Sequence, residues 1–111
     1  MESENEIEKI FNEIKTKLKD EEIQKLLSDF SKKIQFIFTD LNKSYNITLK
    51  DGKIESINEG IIDSPDILIK TEIKILNDIL NKKINPMSAY ASGKLKAKGK
   101  LTDLLKIIKL L

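Results

Sequence analysis

The sequence has no cysteine, histidine, arginine, tryptophan or valine, and few glycines, prolines or aromatics. Without Cys or His it cannot build a thiolate nucleophile, a Ser/His/Asp triad, a Cys/His zinc site or a disulfide framework. Without Arg it lacks the bidentate fork that grips phosphate or carboxylate, which the point charge of Lys matches poorly. Fully apolar runs are short, Phe36-Ile37-Phe38 among the longest, so no transmembrane helix or secretory signal is expected. Asn42-Lys43-Ser44 and Asn46-Ile47-Thr48 then match the glycosylation pattern by chance. The expectation is a cytoplasmic protein with no cofactor and no metal.

What remains is 111 residues, 40% apolar and 34% charged, with a net charge of +2. That is the composition of one globular domain over 1–111. Lys and Glu/Asp are interspersed, as on a solvated surface.

The apolar pattern changes period along the chain. Ser3 and Glu6 form a capping box ahead of Ile7, Ile10, Phe11, Ile14 and Leu18, which recur at helical spacing. The phase breaks near Asp20, which is placed to cap a second helix carrying Ile23, Leu26, Leu27 and Phe30. From Ile34 the period is two: Ile34, Phe36 and Phe38, then Tyr45, Ile47 and Leu49, read as strands with one buried face. Asp51-Gly52 is a two-residue hairpin turn into a third strand. There the three-residue step from Ile54 to Ile57 points to a bulge or an early strand end. A loop over Glu59 to Pro65 leads to a short strand at Asp66 to Lys70. Thr71 is placed to cap a helix bearing Ile73, Leu76, Ile79 and Leu80. Asn85-Pro86 starts a short helix that stops at Gly93. Lys94 to Lys98 alternates Lys with Leu95 and Ala97, and Gly99 turns the chain into a last helix with a stripe of Leu101, Leu104, Leu105, Ile108 and Leu111. The order predicts an α+β domain, a single sheet with helices packed on one face.

The stretch Asn85-Pro86-Met87-Ser88-Ala89-Tyr90-Ala91-Ser92-Gly93-Lys94-Leu95-Lys96-Ala97-Lys98-Gly99 resembles the C-terminal signature of the sterol carrier protein type 2 domain. The element order, the Asp51-Gly52-Lys53 hairpin and the Asp66 to Lys70 strand are similar to that family as well, from about Ile7 to Leu110. The resemblance implies a single five-stranded mixed sheet whose helices enclose a hydrophobic tunnel. It also implies non-enzymatic binding and carriage of fatty acids, acyl thioesters, phospholipids or sterols.

Such a site needs a dry apolar cavity and no reactive group, since each buried methylene gains about 0.8 kcal/mol. The candidate walls are Phe36 and Phe38 from the first strand and Ile47 and Leu49 from the second. Leu76 and Leu80 come from the central helix, Met87 and Tyr90 from the short one, and Leu101, Leu104, Leu105 and Ile108 from the last. Met87 offers a flexible thioether and Tyr90 a hydroxyl at the mouth. Inward Ile and Leu look the same whether they line a tunnel or fill a core. The last helix, apolar over most of its circumference, is expected to act as wall and lid, with a dimer or partner-enzyme interface as the alternative. Lys94, Lys96 and Lys98 make a positive stripe suited to transient contact with anionic membranes; its plain reading is an edge strand kept soluble by Lys. With no Arg and no interleaved aromatics, nucleic acid is not an expected partner. A monomer or weak homodimer is expected.

Overall fold

The computed structural model describes residues 2–111, with side chains from residue 5 onward. The expected Ser3–Glu6 capping box does not mark the helix start: α1 already runs from Glu2, so Ser3 lies within the helix and not at its N-cap. In chain order the elements are α1 (Glu2–Lys17), α2 (Glu21–Leu27), β1 (Lys33–Phe38), β2 (Lys43–Lys50), β3 (Lys53–Glu59), β4 (Ile67–Thr71), α3 (Ile73–Leu80), α4 (Pro86–Ala91), β5 (Leu95–Lys98) and α5 (Leu101–Leu110). The strands form one five-stranded sheet in the order β3-β2-β1-β4-β5. β1 runs parallel to β4 and every other pair is antiparallel, so the sheet is mixed, as expected from the sequence.

Local chemistry sets the breaks between elements. Asp20 Oδ1 accepts from the backbone N–H of Glu22 at 2.9 Å, which starts α2 and separates it from α1. Asn85 Oδ1 accepts from the N–H of Met87 at 2.8 Å and of Ser88 at 3.2 Å, with Pro86 opening α4. At the β2–β3 turn Asp51 and Gly52 both have positive φ, 51° and 77°, as a primed hairpin turn requires. A Cβ on Gly52 would lie 2.5 Å from the Leu27 carbonyl oxygen, so the turn packs against the end of α2 with room only for glycine. The bulge read from Ile54 and Ile57 is present: Thr48 pairs with Ser56 and Leu49 with Ile54, leaving Glu55 as the extra residue.

Two further expectations change. Thr71 ends β4 rather than capping α3, and its hydroxyl donates to the Lys94 carbonyl at 2.8 Å, tying β4 to β5. The first N–H of α3, at Ile73, instead donates to Asp40 Oδ1 at 3.0 Å, a partner distant in sequence. The stripe on α5 is also rotated. Asp103, Leu104, Ile107 and Leu110 are buried, with Leu111 beyond the helix, whereas Leu101 is 71% exposed and Leu105 44% exposed.

The core lies between the inner face of the sheet and the helices. Ile34, Phe36 and Phe38 from β1, Ile47 and Leu49 from β2, and Ile67 and Ile69 from β4 are all buried there. Over them lie Ile7, Ile10, Phe11 and Ile14 of α1 and Ile73, Leu76, Ile79 and Leu80 of α3. Part of the opposite face is closed by the β3–β4 loop. Gln35 points outward from β1 yet is only 1% exposed. Its Nε2 donates to the carbonyls of Tyr45 and Gly60, each at 3.0 Å, and its Oε1 accepts from the Ile62 N–H at 2.8 Å. Asn46 Nδ2 adds a bond to the same Gly60 carbonyl at 3.1 Å. This clip satisfies the backbone of a loop that would otherwise lie unpaired against the sheet. Gln35→Met keeps the volume and removes the bonds, so chemical denaturation should show a loss of about 2–4 kcal/mol. A loss under about 0.5 kcal/mol would mean the clip does not hold the loop.

Candidate functional site

Four of the aromatic side chains meet on the inner face. The Phe11 ring lies 6.0 Å from Phe36 edge-on and 5.4 Å from Tyr45, and Phe36 stacks on Phe38 at 6.2 Å. Such contacts favour close packing of this corner beyond the area they bury. Of the sequence-predicted walls, Phe36, Phe38, Ile47, Leu49, Leu76, Leu80 and Leu104 are buried in this common core. Ile108 is half-buried at the edge of it. Met87 and Tyr90 on α4, and Leu101 and Leu105 on α5, are exposed to solvent. The structure therefore divides the candidates into an inner set and an outer set borne by two helices adjoining β5.

A concavity of about 350 Å³ lies where α3 ends, α4 begins and α5 ends; of the sequence-predicted walls, Ile108 alone lines it. Ile79, Ile84, Pro86, Ile108 and Leu111 give it an apolar lining, and Lys17, Lys82 and Lys109 also border it. Lys17 donates to the Leu111 carbonyl at 2.7 Å. Burial holds the Lys17 ammonium below the usual lysine value, the charge of Lys82 pushes it the same way, and Glu13 partly offsets both. Sequence reading singled out neither Lys17 nor Lys82. They are far apart in the chain, Lys17 at the end of α1 and Lys82 in the turn after α3, so no local pattern marks them.

α5 is fastened at identifiable points. Asp103, 8% exposed, forms an ion pair with Lys32 at 3.5 Å. The Lys106 ammonium sits 5.8 Å from the centre of the Phe30 ring. Both anchors lie in the segment between α2 and β1, and they explain the rotated stripe. Asp103 turns inward toward Lys32, and the apolar face that follows it in phase is Leu104, Ile107 and Leu110, not Leu101 and Leu105. One rim of the helix is polar and bonded while the other is apolar and wet. Among the described residues no group of three or more His, Cys, Asp and Glu is arranged to hold a metal, and no helix is long and apolar enough to cross a membrane.

The geometry defines a class: an α+β domain whose helices close an apolar interior over one face of a mixed sheet. The model of the SCP-2 sterol transfer family matches residues 11–111, and the chain belongs to that family. Its fold is shared by sterol carrier protein 2 like 2 of Aedes aegypti, at 16% identity over 97% of this chain and 98% of that one, with a TM-score of 0.73. The palmitated form of the Aedes aegypti protein, solved in solution, matches at 20% identity over 94% and 92%, with a TM-score of 0.71. A part of the inverting sec-alkylsulfatase of Pseudomonas sp. matches at 21% identity and a TM-score of 0.68, covering 79% of this chain. This chain spans only 14% of that enzyme. No curated protein matches the chain. Family membership supports lipid binding and transfer as its general class of function.

Two measurements test this geometry. Asp103→Asn should loosen α5, so that its amides exchange about fivefold faster, the equivalent of about 1 kcal/mol; unchanged exchange would mean the Lys32 pair does not hold the helix. The folded state binds the Lys17 proton less firmly than the unfolded one, so its contribution to stability rises as pH climbs through the lowered value toward 10.5. Comparing urea midpoints across that range, this rise should be absent in Lys17→Met. An identical pH dependence in both proteins would contradict the assignment.

Proposed function

We propose that this protein binds an acyl lipid in its apolar interior and carries it through the cytoplasm, without catalysing a reaction. Phe36, Phe38, Ile47, Leu49, Leu76, Leu80 and Leu104 contribute the wall. Met87, Tyr90, Leu101, Leu105 and Ile108 close over the chain when it is loaded. The observation that carries the reading is the exposure of Met87, Tyr90, Leu101 and Leu105, a set of large apolar side chains concentrated on α4 and α5 and left without cover. The family and the palmitated mosquito relative support the same ligand class.

The energetics explain why α5 must act as a lid. A dozen methylenes leaving water supply about 10 kcal/mol. Undocking Leu104, Ile107, Leu110 and Leu111 outright would cost about 1.5–3 kcal/mol each, a sum of the same size. A helix that lifted and stayed open would cancel the gain. The chain is held only if α5 closes again onto it, exchanging contacts with the sheet for contacts with the ligand. A carboxylate or acidic head group left at the mouth would meet Lys17, Lys82 and Lys109, and its charge would offset their mutual repulsion. Lys94, Lys96 and Lys98 then attract the protein to anionic membranes, where cargo is loaded.

The same exposed stripe supports a second reading, in which α5 dimerises or docks a partner enzyme. Native mass spectrometry of protein purified from cells separates the two. The carrier reading expects a monomer with heterogeneous adducts matching acyl lipids; a clean mass with a stable dimer favours docking. Leu105→Glu, at a half-exposed position that leaves the fold intact, should reduce uptake of a fluorescent fatty acid at least tenfold, the effect of about 1.4 kcal/mol. Unchanged uptake would remove Leu105 from the site, and no saturable uptake by the unmodified protein would refute the carrier reading.

A further inference from the structure

The outer face of the sheet is covered unevenly. The Gln35–Asn46 clip lays the β3–β4 loop over β1 and β2. Toward β4 and β5 the outward side chains are Lys70, Lys96 and Lys98, all exposed, with half-buried Ile37 and Leu68 beside them. Lys70 and Lys96 are direct cross-strand partners, and Ile37 pairs with Lys70 and Leu68 with Lys98. Like charges placed opposite one another in a sheet are destabilising. Nor does any of Lys70, Lys94 and Lys96 have a carboxylate within ion-pair distance among the described residues. These three lysines surround a cleft of about 230 Å³ that Thr39, Thr71 and Glu72 also line, an excess of two positive charges over the single Glu.

We propose that this face docks on anionic phospholipid surfaces, with a head-group phosphate seated between Lys70, Lys94 and Lys96. The inference deepens the membrane contact that rests on the carrier reading: it moves that contact from a stripe along one edge strand to a cleft spanning β4 and β5, and it adds Lys70. An unbalanced like-charge pair fits a phosphate, which relieves its repulsion while accepting from several ammonium groups at once. Lysine suits a fluid bilayer because it binds as a point charge and demands no fixed fork geometry. Half-buried Ile37 and Leu68, in register with Lys70 and Lys98, add apolar surface beside the lysines on the same face. Lys94 follows the end of α4 by three residues, so docking here brings the exposed Met87 and Tyr90 helix near the lipid.

Partition onto phosphatidylcholine vesicles, with and without phosphatidylglycerol, tests the proposal. The unmodified protein should bind only the anionic vesicles. Lys70→Ala/Lys96→Ala should weaken that binding about twenty- to thirtyfold, whereas Lys25→Ala/Lys50→Ala, at exposed positions elsewhere, should change it less than about threefold. Equal losses in the two double variants, or equal binding to neutral vesicles, would overturn the proposal. Saturable binding of inorganic phosphate or of a DNA oligonucleotide without vesicle partition would overturn it too. Uptake of a fluorescent fatty acid from solution by Lys70→Ala/Lys96→Ala should stay within about twofold of the unmodified protein, because Lys70 and Lys96 point away from the core and none of the proposed wall residues lines the cleft. If the unmodified protein takes up no fatty acid yet partitions through Lys70 and Lys96, the carrier reading fails and the docking face stands.

Discussion

Only the inner face of the sheet is apolar along its whole width, and this asymmetry decides the rest of the structure. Phe36, Phe38, Ile47, Ile67 and Ile69 have to be covered, and with no second sheet available the helices supply the cover. α1 and α3 do so with their full apolar faces. α5 does so with half of what it has. Its phase is fixed by Asp103 turning in to Lys32, which leaves Leu101 and Leu105 outside. The helix therefore carries apolar residues on both sides and polar anchors on one rim, and its uncovered side is the one the proposed ligand closure uses.

The balance of forces fits such a use. In the proposed loaded state an acyl chain and the inner side chains of α5 would compete for the same apolar surroundings with similar free energies, on the order of 10 kcal/mol each way. Small differences then decide between empty and loaded states, which is what reversible carriage needs. The same holds at the surface. The lysines around the β4–β5 cleft and those around the α3–α4–α5 concavity are set against one another with few carboxylates between them, so each group is stabilised by an arriving anion.

Much of the fold was legible in the sequence because local chemistry specifies it. Asp20 and Asn85 cap the helices they were expected to cap, Asp51-Gly52 makes the turn, and the Ile54–Ile57 spacing reports a bulge that the strand register places at Glu55. What was not legible depends on contacts between distant residues. Thr71 has the right chemistry for a cap, but Asp40 reaches Ile73 first and Thr71 serves β5. Gln35 alternates like any solvent-facing strand residue, and only the returning loop buries it. On α5 the periodicity fits two overlapping stripes, since nearly every non-charged position is Leu or Ile. An ion pair with Lys32 selects between them. The candidate site was legible to the same extent. The burial of its proposed inner wall on the strands follows from strand alternation, whereas Lys17 of α1, Lys82 after α3 and Lys109 of α5 border one concavity only in the folded chain.

The central claim is that an acyl chain lies between the sheet and α5. Isotope-filtered NOE spectra of labelled protein with unlabelled palmitate test it most directly. The account predicts contacts from the chain methylenes to the side chains of Phe36, Leu76 and Leu104, together with changed exchange of the α5 amides. Contacts confined to Leu101, Leu105, Met87 and Tyr90, with the inner residues untouched, would show the lipid lying on the surface and would contradict the account.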